Sequence, residues 1–288
     1  MARVGVVGLG NMGEALAANL VAGGHDVVAH DVAGPERCPA GAAFAACVAE
    51  VARRTDVVVL SLPDGPASEA VASEIAATAG RQATYVVDTS TIGVQAARAV
   101  DTLLAEAGVG YVDAPVSGGV AGARARTLAV MVAAPDAACD AVAHVLAGLS
   151  DRRHRVGDTP GMAQALKLAN NFLSATALAA TSEAVAFGLS VGLDMATMLE
   201  VLDASSGRSA ATGDKFPAHV LTGRYAAGFA NTLMAKDVRL YLGAAEDEGL
   251  PTALGAVTTA VWEQFAAAEP GADFTRIYPF VAHPEEDR

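Results

Sequence analysis

The alternation of short apolar runs with helical segments through the first half of the chain is the strongest constraint on its fold. Strand-like runs are predicted at residues 4–7, 26–30, 57–62, 85–88, 111–112 and 128–132. Helices are predicted between them at residues 11–22, 67–78, 94–107 and 136–149. Continuously apolar strands separated by helices predict a mainly parallel sheet with helices on both faces.

The pattern changes after about residue 157. Residues 159–191 contain no strand-like run, and their apolar residues recur at helical spacing, which predicts one unusually long helix. Further helices are predicted at residues 195–204, 231–248 and 252–268. The predicted architecture is therefore an α/β domain over residues 1–158, joined by the long helix to an all-helical domain over residues 159–288.

Composition limits the classes of function. The chain has 288 residues, of which 52% are apolar, so it can form a large core and is not expected to be disordered. Asp plus Glu outnumber Lys plus Arg by 32 to 19, and the net charge of −13 argues against a nucleic-acid partner. Because so apolar a chain often buries surface against another subunit, a homodimer or homotetramer is expected.

Metal, disulfide and membrane sites are not expected. Cys38, Cys47 and Cys139 show no CxxC spacing, which indicates reduced thiols in a cytoplasmic protein. The six histidines show no metal-ligand spacing. No stretch of about 18 uncharged apolar residues occurs, so no membrane span is expected.

A glycine-rich turn follows the first predicted strand directly and opens the first predicted helix. It reads Gly8-Leu9-Gly10-Asn11-Met12-Gly13 and matches the G-x-G-x-x-G dinucleotide-binding pattern. Gly8 would permit the tight turn, Gly10 would let the backbone approach a pyrophosphate, and Gly13 would allow close helix–strand packing. N–H groups at the start of the helix would then bind the anion. Since this pattern alone is weak, a glycine turn without a cofactor is the alternative.

The second predicted strand is followed by Asp31, 23 residues after Gly8. An acid at about this offset binds the ribose hydroxyls of NAD. It would repel the 2′-phosphate of NADP, which needs an arginine close by, and the first arginine after Asp31 is Arg37. The sequence therefore predicts NAD in preference to NADP.

Five further segments have distinctive sequences. They are Asp88-Thr89-Ser90-Thr91-Ile92, Asp113-Ala114-Pro115-Val116-Ser117-Gly118-Gly119, Lys167-Leu168-Ala169-Asn170-Asn171, Ser205-Ser206-Gly207-Arg208-Ser209 and Met234-Ala235-Lys236-Asp237. Together with the glycine-rich turn, and in this order, they resemble the motifs of the β-hydroxyacid dehydrogenases, specifically of the 3-hydroxyisobutyrate dehydrogenase group. The matching segments run from residue 4 to about residue 240, so the resemblance covers most of the chain.

The resemblance implies a Rossmann-type dinucleotide-binding domain, a helical substrate-binding and dimerisation domain, and oxidation of the 3-hydroxyl of a small anionic acid such as 3-hydroxyisobutyrate. It assigns Lys167 as the catalytic acid and base and Asn171 as its partner. The implied substrate-binding residues are Ser117, Gly118 and Gly119. The cofactor-binding residues expected besides the glycine-rich turn and Asp31 are Leu62, Pro63, Thr91 and Lys236.

The residues themselves allow a catalytic Lys167, but it is the resemblance that favours this role over a surface lysine. Lys167 and Asn171 are four positions apart on the predicted long helix, so they share one face. Their neighbours include Leu166, Leu168, Phe172 and Leu173. Apolar surroundings remove hydration from a lysine and favour the neutral amine that accepts a proton, while an asparagine can hold a substrate oxygen without titrating. The alternative is a surface lysine, the usual state of a lysine on a helix.

Several other features have two interpretations. The Ser117-Gly118-Gly119 segment would present N–H groups to a carboxylate, or would form a plain turn. Lys236 and Asp237 could instead form a surface ion pair. Arg208 could bind an anion or cap the preceding helix. The basic segment 151–155 is expected to be a solvated loop.

One position departs from the family that the chain resembles. The family usually reads AGTL where this sequence reads Ala125-Arg126-Thr127-Leu128. Arg126 is expected to face solvent, and the alternative is that it selects a more anionic acid. Segment 274–280 could distinguish subgroups, although it indicates no substrate.

Two other functions compete with an NAD-dependent dehydrogenase. A reductase of a small semialdehyde, ketoacid or imine would use the same fold, but imine-reducing relatives generally lack the catalytic lysine. A non-catalytic cofactor-binding scaffold would also be expected to lack it. The presence of Lys167 therefore favours the dehydrogenase.

Overall fold

The computed structural model describes residues 2–282. The chain divides into two compact units, Met1–Lys167 and Leu168–Arg288. The boundary between the units falls inside the long helix that the sequence predicts as the joint. Each unit has a hydrophobic core of its own.

The N-terminal unit contains a mixed sheet of nine strands within the described residues. The strands are β1 (Arg3–Val7), β2 (Asp26–His30), β3 (Ala43–Phe44), β4 (Val57–Leu60), β5 (Tyr85–Asp88), β6 (Gly110–Asp113), β7 (Val116–Ser117), β8 (Ala129–Ala133) and β9 (Arg152–Gly157). The spatial order is β3-β2-β1-β4-β5-β6-β8-β7, and β9 pairs with β8. Strands β1 to β6 are parallel, whereas β8 runs antiparallel to β6 and β7. The sheet is Rossmann-like.

Six helices cover both faces of this sheet, and four of them were predicted. They are α1 (Asn11–Ala22), α2 (Val48–Arg54), α3 (Gly65–Ala77), α4 (Val94–Glu106), α5 (Gly119–Arg124) and α6 (Asp136–Leu149). Alternate residues of each strand pack on opposite faces, because side chains alternate along a strand. Val57 and Val59 pack in one cluster with residues of α1 and α6, while Val58 and Leu60 pack in another with residues of α2, α3 and α4.

The prediction of a solvated loop at residues 151–155 is wrong. Residues Arg152–Gly157 form β9, whose backbone pairs in parallel with β8, with Met131 opposite His154. The edge of β8 satisfies the β9 backbone, while the side chains of Arg152, Arg153 and His154 remain exposed. The short elements β3, β7, α2 and α5 were also not predicted, because they contain too few residues for a periodic pattern.

The long helix is α7, Met162–Ser190, of 29 residues. It begins three residues later than predicted, because Gly161 has a left-handed backbone (φ +96) and follows Pro160. Among residues 2–282, α7 is the helix long and apolar enough to cross a membrane by length and composition. The core helices of water-soluble proteins also meet that criterion, and 33% of its most apolar window is buried in the protein.

The C-terminal unit is helical. After α7 come α8 (Met195–Asp203), a π-helical segment (Ala211–Val220), α9 (Asn231–Asp247), α10 (Ala253–Ala268), a 3₁₀ turn (Phe274–Arg276) and α11 (Ile277–Ala282). Trp262 lies fully buried in the core and donates its Nε1–H to the carbonyl oxygen of Ala175 at 3.2 Å. Phe274, Ile277 and Tyr278 are also buried in this core. Segment 274–280, whose role the sequence left open, therefore closes the core of the helical unit.

Arg126 occupies an unusual backbone conformation. Its φ is +58, in the left-handed region that strongly favours glycine, which accounts for the glycine that the family usually has there. Its Nη2 donates to the carbonyl oxygen of Ala147 at 2.9 Å, in the last turn of α6, and lies 3.9 Å from Asp151. Arg126 therefore caps a helix C-terminus, where a cation is favourable.

We expect Arg126→Gly to be more stable than Arg126→Ala by about 1 kcal/mol, because both lose the cap and only glycine relieves the left-handed strain. Urea unfolding of the two variants measures the difference. The matched control is Arg124, the last residue of α5, where alanine should be more stable than glycine by about 1 kcal/mol. The same order at both positions would contradict strain at Arg126.

Candidate active site

The glycine-rich turn lies at the carboxyl end of β1, beside β4, where the strand order reverses. Gly8 has φ +94, and a Cβ there would overlap the carbonyl oxygen of Ser61. A Cβ on Gly13 would overlap the carbonyl oxygen of Gly8, so α1 packs directly on the turn. A Cβ on Gly10 would meet nothing within 4 Å. The turn therefore has no room for side chains at Gly8 and Gly13, and it has open space at Gly10. This arrangement fits a dinucleotide phosphate at the start of α1.

Asp31 lies against the glycine-rich turn. Its Oδ2 accepts a hydrogen bond from the backbone N–H of Leu9 at 2.5 Å, and its Oδ1 accepts one from Ala33 at 2.8 Å. The same turn contacts Arg37, whose Nη1 donates to Oδ1 of Asn11 at 2.7 Å and lies 3.9 Å from Glu14. No sequence signal indicates the contact between Arg37 and Asn11.

Hydrogen bonds join the ends of β4 and β5. The backbone N–H of Leu62 donates to Oγ of Ser90 at 2.8 Å, and the hydroxyl of Thr89 donates to the carbonyl oxygen of Leu60 at 2.6 Å. Leu62 and Pro63 therefore lie next to the loop that carries Thr91, and Thr91 itself is half-buried. These three predicted cofactor-binding residues occupy the carboxyl edge of the sheet, where ligands of such folds bind.

The predicted carboxylate-binding segment forms the connection from β7 to α5. Gly118 and Gly119 have φ of +130 and +66, and α5 begins at Gly119. A Cβ on Gly119 would meet nothing within 4 Å. A glycine turn with open space around it can present backbone N–H groups to an anion.

A buried polar pair that the sequence did not indicate lies at the start of α7. Asp113 and Gln164 are both fully buried. Oδ2 of Asp113 accepts hydrogen bonds from the backbone N–H groups of Gly161 (2.9 Å) and Gln164 (3.2 Å). Its Oδ1 accepts one from Nε2 of Gln164 at 2.8 Å. Asp113 thus caps the start of α7 from the neighbouring strand β6.

Burial changes the acid–base properties of this region. It raises the pKa of the Asp113 carboxyl to about 6, although hydrogen bonds from Gln164 and Gly161 oppose the shift. Burial also raises the pKa of Asp88, whose carboxylate is opposite Asp113 in the strand register. The pKa of the Tyr111 hydroxyl is raised by burial and by Asp88.

Lys167 and Asn171 are both buried on α7, so the surface alternative for Lys167 is wrong. Of their predicted apolar neighbours, Leu168 is buried, whereas Leu166 and Leu173 are exposed. The helix therefore turns only one side of this segment to the interior, and Lys167 and Asn171 are on that side.

In the helical unit, Asn171 is held by a buried carboxylate. Its Nδ2 donates to Oδ2 of Asp237 at 2.5 Å, and its Oδ1 accepts from Nδ2 of Asn170 at 3.0 Å. The Oδ1 of Asp237 lies 3.1 Å from Nζ of Lys236. Asp237 is only 2% exposed, so a surface Lys236–Asp237 pair is excluded. The sequence did not indicate that Asp237 fixes Asn171.

The remaining candidates lie elsewhere. Arg208 is exposed, and its Nε is 3.6 Å from Asp203, the last residue of α8. It therefore contacts the end of the preceding helix, one of its two expected positions. Within residues 2–282, no group of three or more His, Cys, Asp or Glu side chains is placed to hold a metal ion. His283 lies outside the described residues.

Comparison with known proteins agrees with this fold. Residues 3–157 match the model of the NAD binding domain of 6-phosphogluconate dehydrogenase. Residues 161–281 match the model described as NAD-binding of NADP-dependent 3-hydroxyisobutyrate dehydrogenase.

Three relatives illustrate the similarity over the whole chain. The 2-(hydroxymethyl)glutarate dehydrogenase of Eubacterium barkeri is 35% identical, over 91% of this chain and 88% of its own. The mitochondrial 3-hydroxyisobutyrate dehydrogenase of Drosophila melanogaster is 32% identical, over 96% and 88%. The structure of the Mycobacterium tuberculosis 3-hydroxyisobutyrate dehydrogenase with L-serine superposes with a TM-score of 0.89 at 32% identity, over 96% and 98%.

The fold and the site define an NAD(P)-dependent dehydrogenase that acts on a CH–OH group. The chain belongs to the β-hydroxyacid dehydrogenase family, in its 3-hydroxyisobutyrate dehydrogenase group. A small hydroxyacid is the substrate that this family implies.

We expect Asp113→Asn to flatten the dependence of stability on pH. Because the folded-state pKa of Asp113 (about 6) lies above the unfolded value, the folded protein binds more protons between about pH 4 and pH 6. Ionisation of Asp113 therefore lowers the free energy of unfolding as pH rises through that window. In Asp113→Asn that decrease should be smaller by about 1 to 3 kcal/mol. Urea unfolding at several pH values measures it, and curves parallel to wild type would contradict the shift.

Proposed function

We propose that this protein oxidises a small 3-hydroxyacid with NAD, and that Lys167 is the general base. The observation that carries the proposal is the burial of Lys167 one helical turn before Asn171, which Asp237 fixes by a hydrogen bond. A buried amine on a rigid helix suits proton transfer better than a mobile surface amine does. In the reverse direction, reduction of a semialdehyde or ketoacid, the ammonium of Lys167 donates the proton.

Each of the other groups has one task in this proposal. The backbone N–H groups of Gly118 and Gly119, with the hydroxyl of Ser117, bind the substrate carboxylate. The side-chain amide of Asn171 donates one of its two hydrogens to Asp237. Its other amide hydrogen donates to the substrate oxygen. The glycine-rich turn, Asp31, Leu62, Pro63, Thr91 and Lys236 hold the cofactor. When bound, the nicotinamide ring supplies the hydride acceptor.

The names of the relatives suggest the substrate class. 3-Hydroxyisobutyrate, 2-(hydroxymethyl)glutarate and L-serine all carry a primary alcohol on the carbon next to the one that bears the carboxylate. We therefore propose a 3-hydroxypropionate with one substituent at carbon 2. Arg126 is bonded to Ala147, which favours an acid with one carboxylate over the more anionic alternative.

NADH formation should be measured with 3-hydroxyisobutyrate, L-serine, D-glycerate, L-threonate and 2-(hydroxymethyl)glutarate. We expect the highest kcat/KM with an acid that has one carboxylate and a primary alcohol. If protein that binds NAD forms no NADH with any of these acids, the proposed function is wrong.

Lys167→Ala tests the assigned base in the same assay. Turnover should fall by about 10² to 10⁴, the usual contribution of general acid–base catalysis, while the Kd for NAD should change by no more than about threefold. Lys215→Ala, at a lysine paired with Asp214 on the surface, is the matched control and should keep wild-type turnover. Unchanged turnover in Lys167→Ala would refute the role and favour the scaffold alternative.

The proposed preference for NAD rests on the Asp31 carboxylate, which repels a 2′-phosphate. Arg37, the nearest following arginine, is bound to Asn11 and lies beside Glu14, so its charge is partly balanced. We expect Asp31→Asn to lower the ratio of kcat/KM for NAD to that for NADP by about tenfold, because like-charge repulsion is removed. An unchanged ratio would show that Asp31 does not select the cofactor.

We also propose that the protein is a cytoplasmic homo-oligomer. Cys38, Cys47 and Cys139 are all free thiols, as expected in a reducing compartment. Leu173, Phe187 and other large apolar side chains of the helical unit are exposed, and a second copy of the chain could bury them. Light scattering measures the oligomeric state.

A further inference from the structure

The side chain of Gln164 joins segments that are distant in sequence. Its Oε1 accepts hydrogen bonds from the backbone N–H groups of Ile92 (2.9 Å) and Gly93 (3.2 Å). Its Nε2 donates to the carbonyl oxygen of Ser90 at 3.1 Å and to Oδ1 of Asp113 at 2.8 Å. One amide group thus fixes the backbone on both sides of Thr91.

Asp113 completes the connection. Its other carboxylate oxygen holds the backbone N–H groups of Gly161 and Gln164, which form the start of α7. Lys167 lies three residues after Gln164, about one helical turn along the same face. Asp113 is also the first residue of the segment that leads to Ser117 and the two glycines.

We propose that Gln164 is a positioning residue that, together with Asp113, holds the loop carrying Thr91 in register with the helical turn carrying Lys167. Hydrogen bonds of these two side chains connect three segments of one unit. The segments are the loop around Thr91, the start of the segment that leads to Ser117, and the first turn of α7. A fully buried amide with every polar atom bonded has few alternative positions. Loss of these bonds would let the two segments move independently, and small misplacements of a catalytic group are costly.

The first test is Gln164→Met, which keeps the side-chain length and removes the four side-chain hydrogen bonds while the backbone bond to Asp113 stays. We expect kcat to fall by about tenfold or more, because Lys167 loses its register, while KM for the hydroxyacid changes by less than about threefold. The Kd for NAD should weaken by about fivefold, because the Thr91 loop loses its anchor.

The control is Thr275→Val. It also removes the hydrogen bond of a fully buried polar side chain, but that bond is to Asp273, within segment 273–275. It should lower Tm and leave kcat of the folded protein within about twofold of wild type, since no predicted site residue is touched. Equal losses of kcat in both variants, or wild-type kcat and Kd in Gln164→Met, would overturn the proposal.

Gln164→Glu provides a second readout that a purely structural role would not produce. When the introduced carboxyl group is neutral, it can donate to Asp113 and accept from Ile92 and Gly93, whereas its ionised form repels the Asp113 carboxylate. The other titratable or charged groups around the pair are Asp88 on β5, Tyr111 on β6, and Arg98 and Asp101 on α4. All of them remain in both proteins compared.

We therefore expect the ratio of kcat for Gln164→Glu to kcat for wild type to rise by about tenfold as pH is lowered from about 9 to about 6. Taking the ratio removes the pH effects that are common to both proteins. A ratio that is independent of pH would overturn the proposal.

This inference rests on the proposed function, but the two fail differently. If no hydroxyacid is oxidised, the proposed function fails, and the Kd for NAD and amide hydrogen exchange at Ile92 and Gly93 still test Gln164. Faster exchange and weaker NAD binding in Gln164→Met would support the positioning role, and unchanged values would overturn it.

Discussion

One buried carboxylate, that of Asp113, sets where the long helix α7 begins. Removal of Asp113 from water is costly, and this burial raises the pKa of its carboxyl. The cost is offset by three N–H groups that belong to Gly161 and Gln164. These bonds hold the first turn of α7, and Lys167 lies about one turn further along the same helix.

Most of the fold could be predicted because its signals are local. The runs at residues 26–30 and 85–88 and the helices at residues 11–22 and 136–149 have the predicted bounds, since each is long enough to show a burial pattern. Strand β9 could not be predicted, because Arg152 to Arg155 carry the composition of a loop and only the edge of β8 makes them a strand. Its backbone, not its side chains, decides its structure.

The candidate site could be predicted only where a motif carries its own geometry. The glycine-rich turn is such a case, since its positive φ and its open Gly10 follow from the residue type. Gln164 and Asp237 are different, because their hydrogen-bond partners are 51 or more residues away along the chain. Nothing in the sequence around Gln164 indicates that it reaches Ile92. Family motifs locate the reacting groups, and the packed structure is needed to find what holds them.

The burial of segment 274–280 in the helical core has a consequence for the order of synthesis. Once the chain has been synthesised as far as Lys167, the N-terminal unit is complete. It then contains all its strands and also Gln164, whose side chain accepts a hydrogen bond from Ile92. The helical unit cannot complete its core until Phe274, Ile277 and Tyr278 have been added. During synthesis on the ribosome, the dinucleotide-binding unit can therefore fold first. The apolar residues of α7 that belong to the helical core, such as Leu178 and Val185, stay exposed until the C-terminal segment has been made.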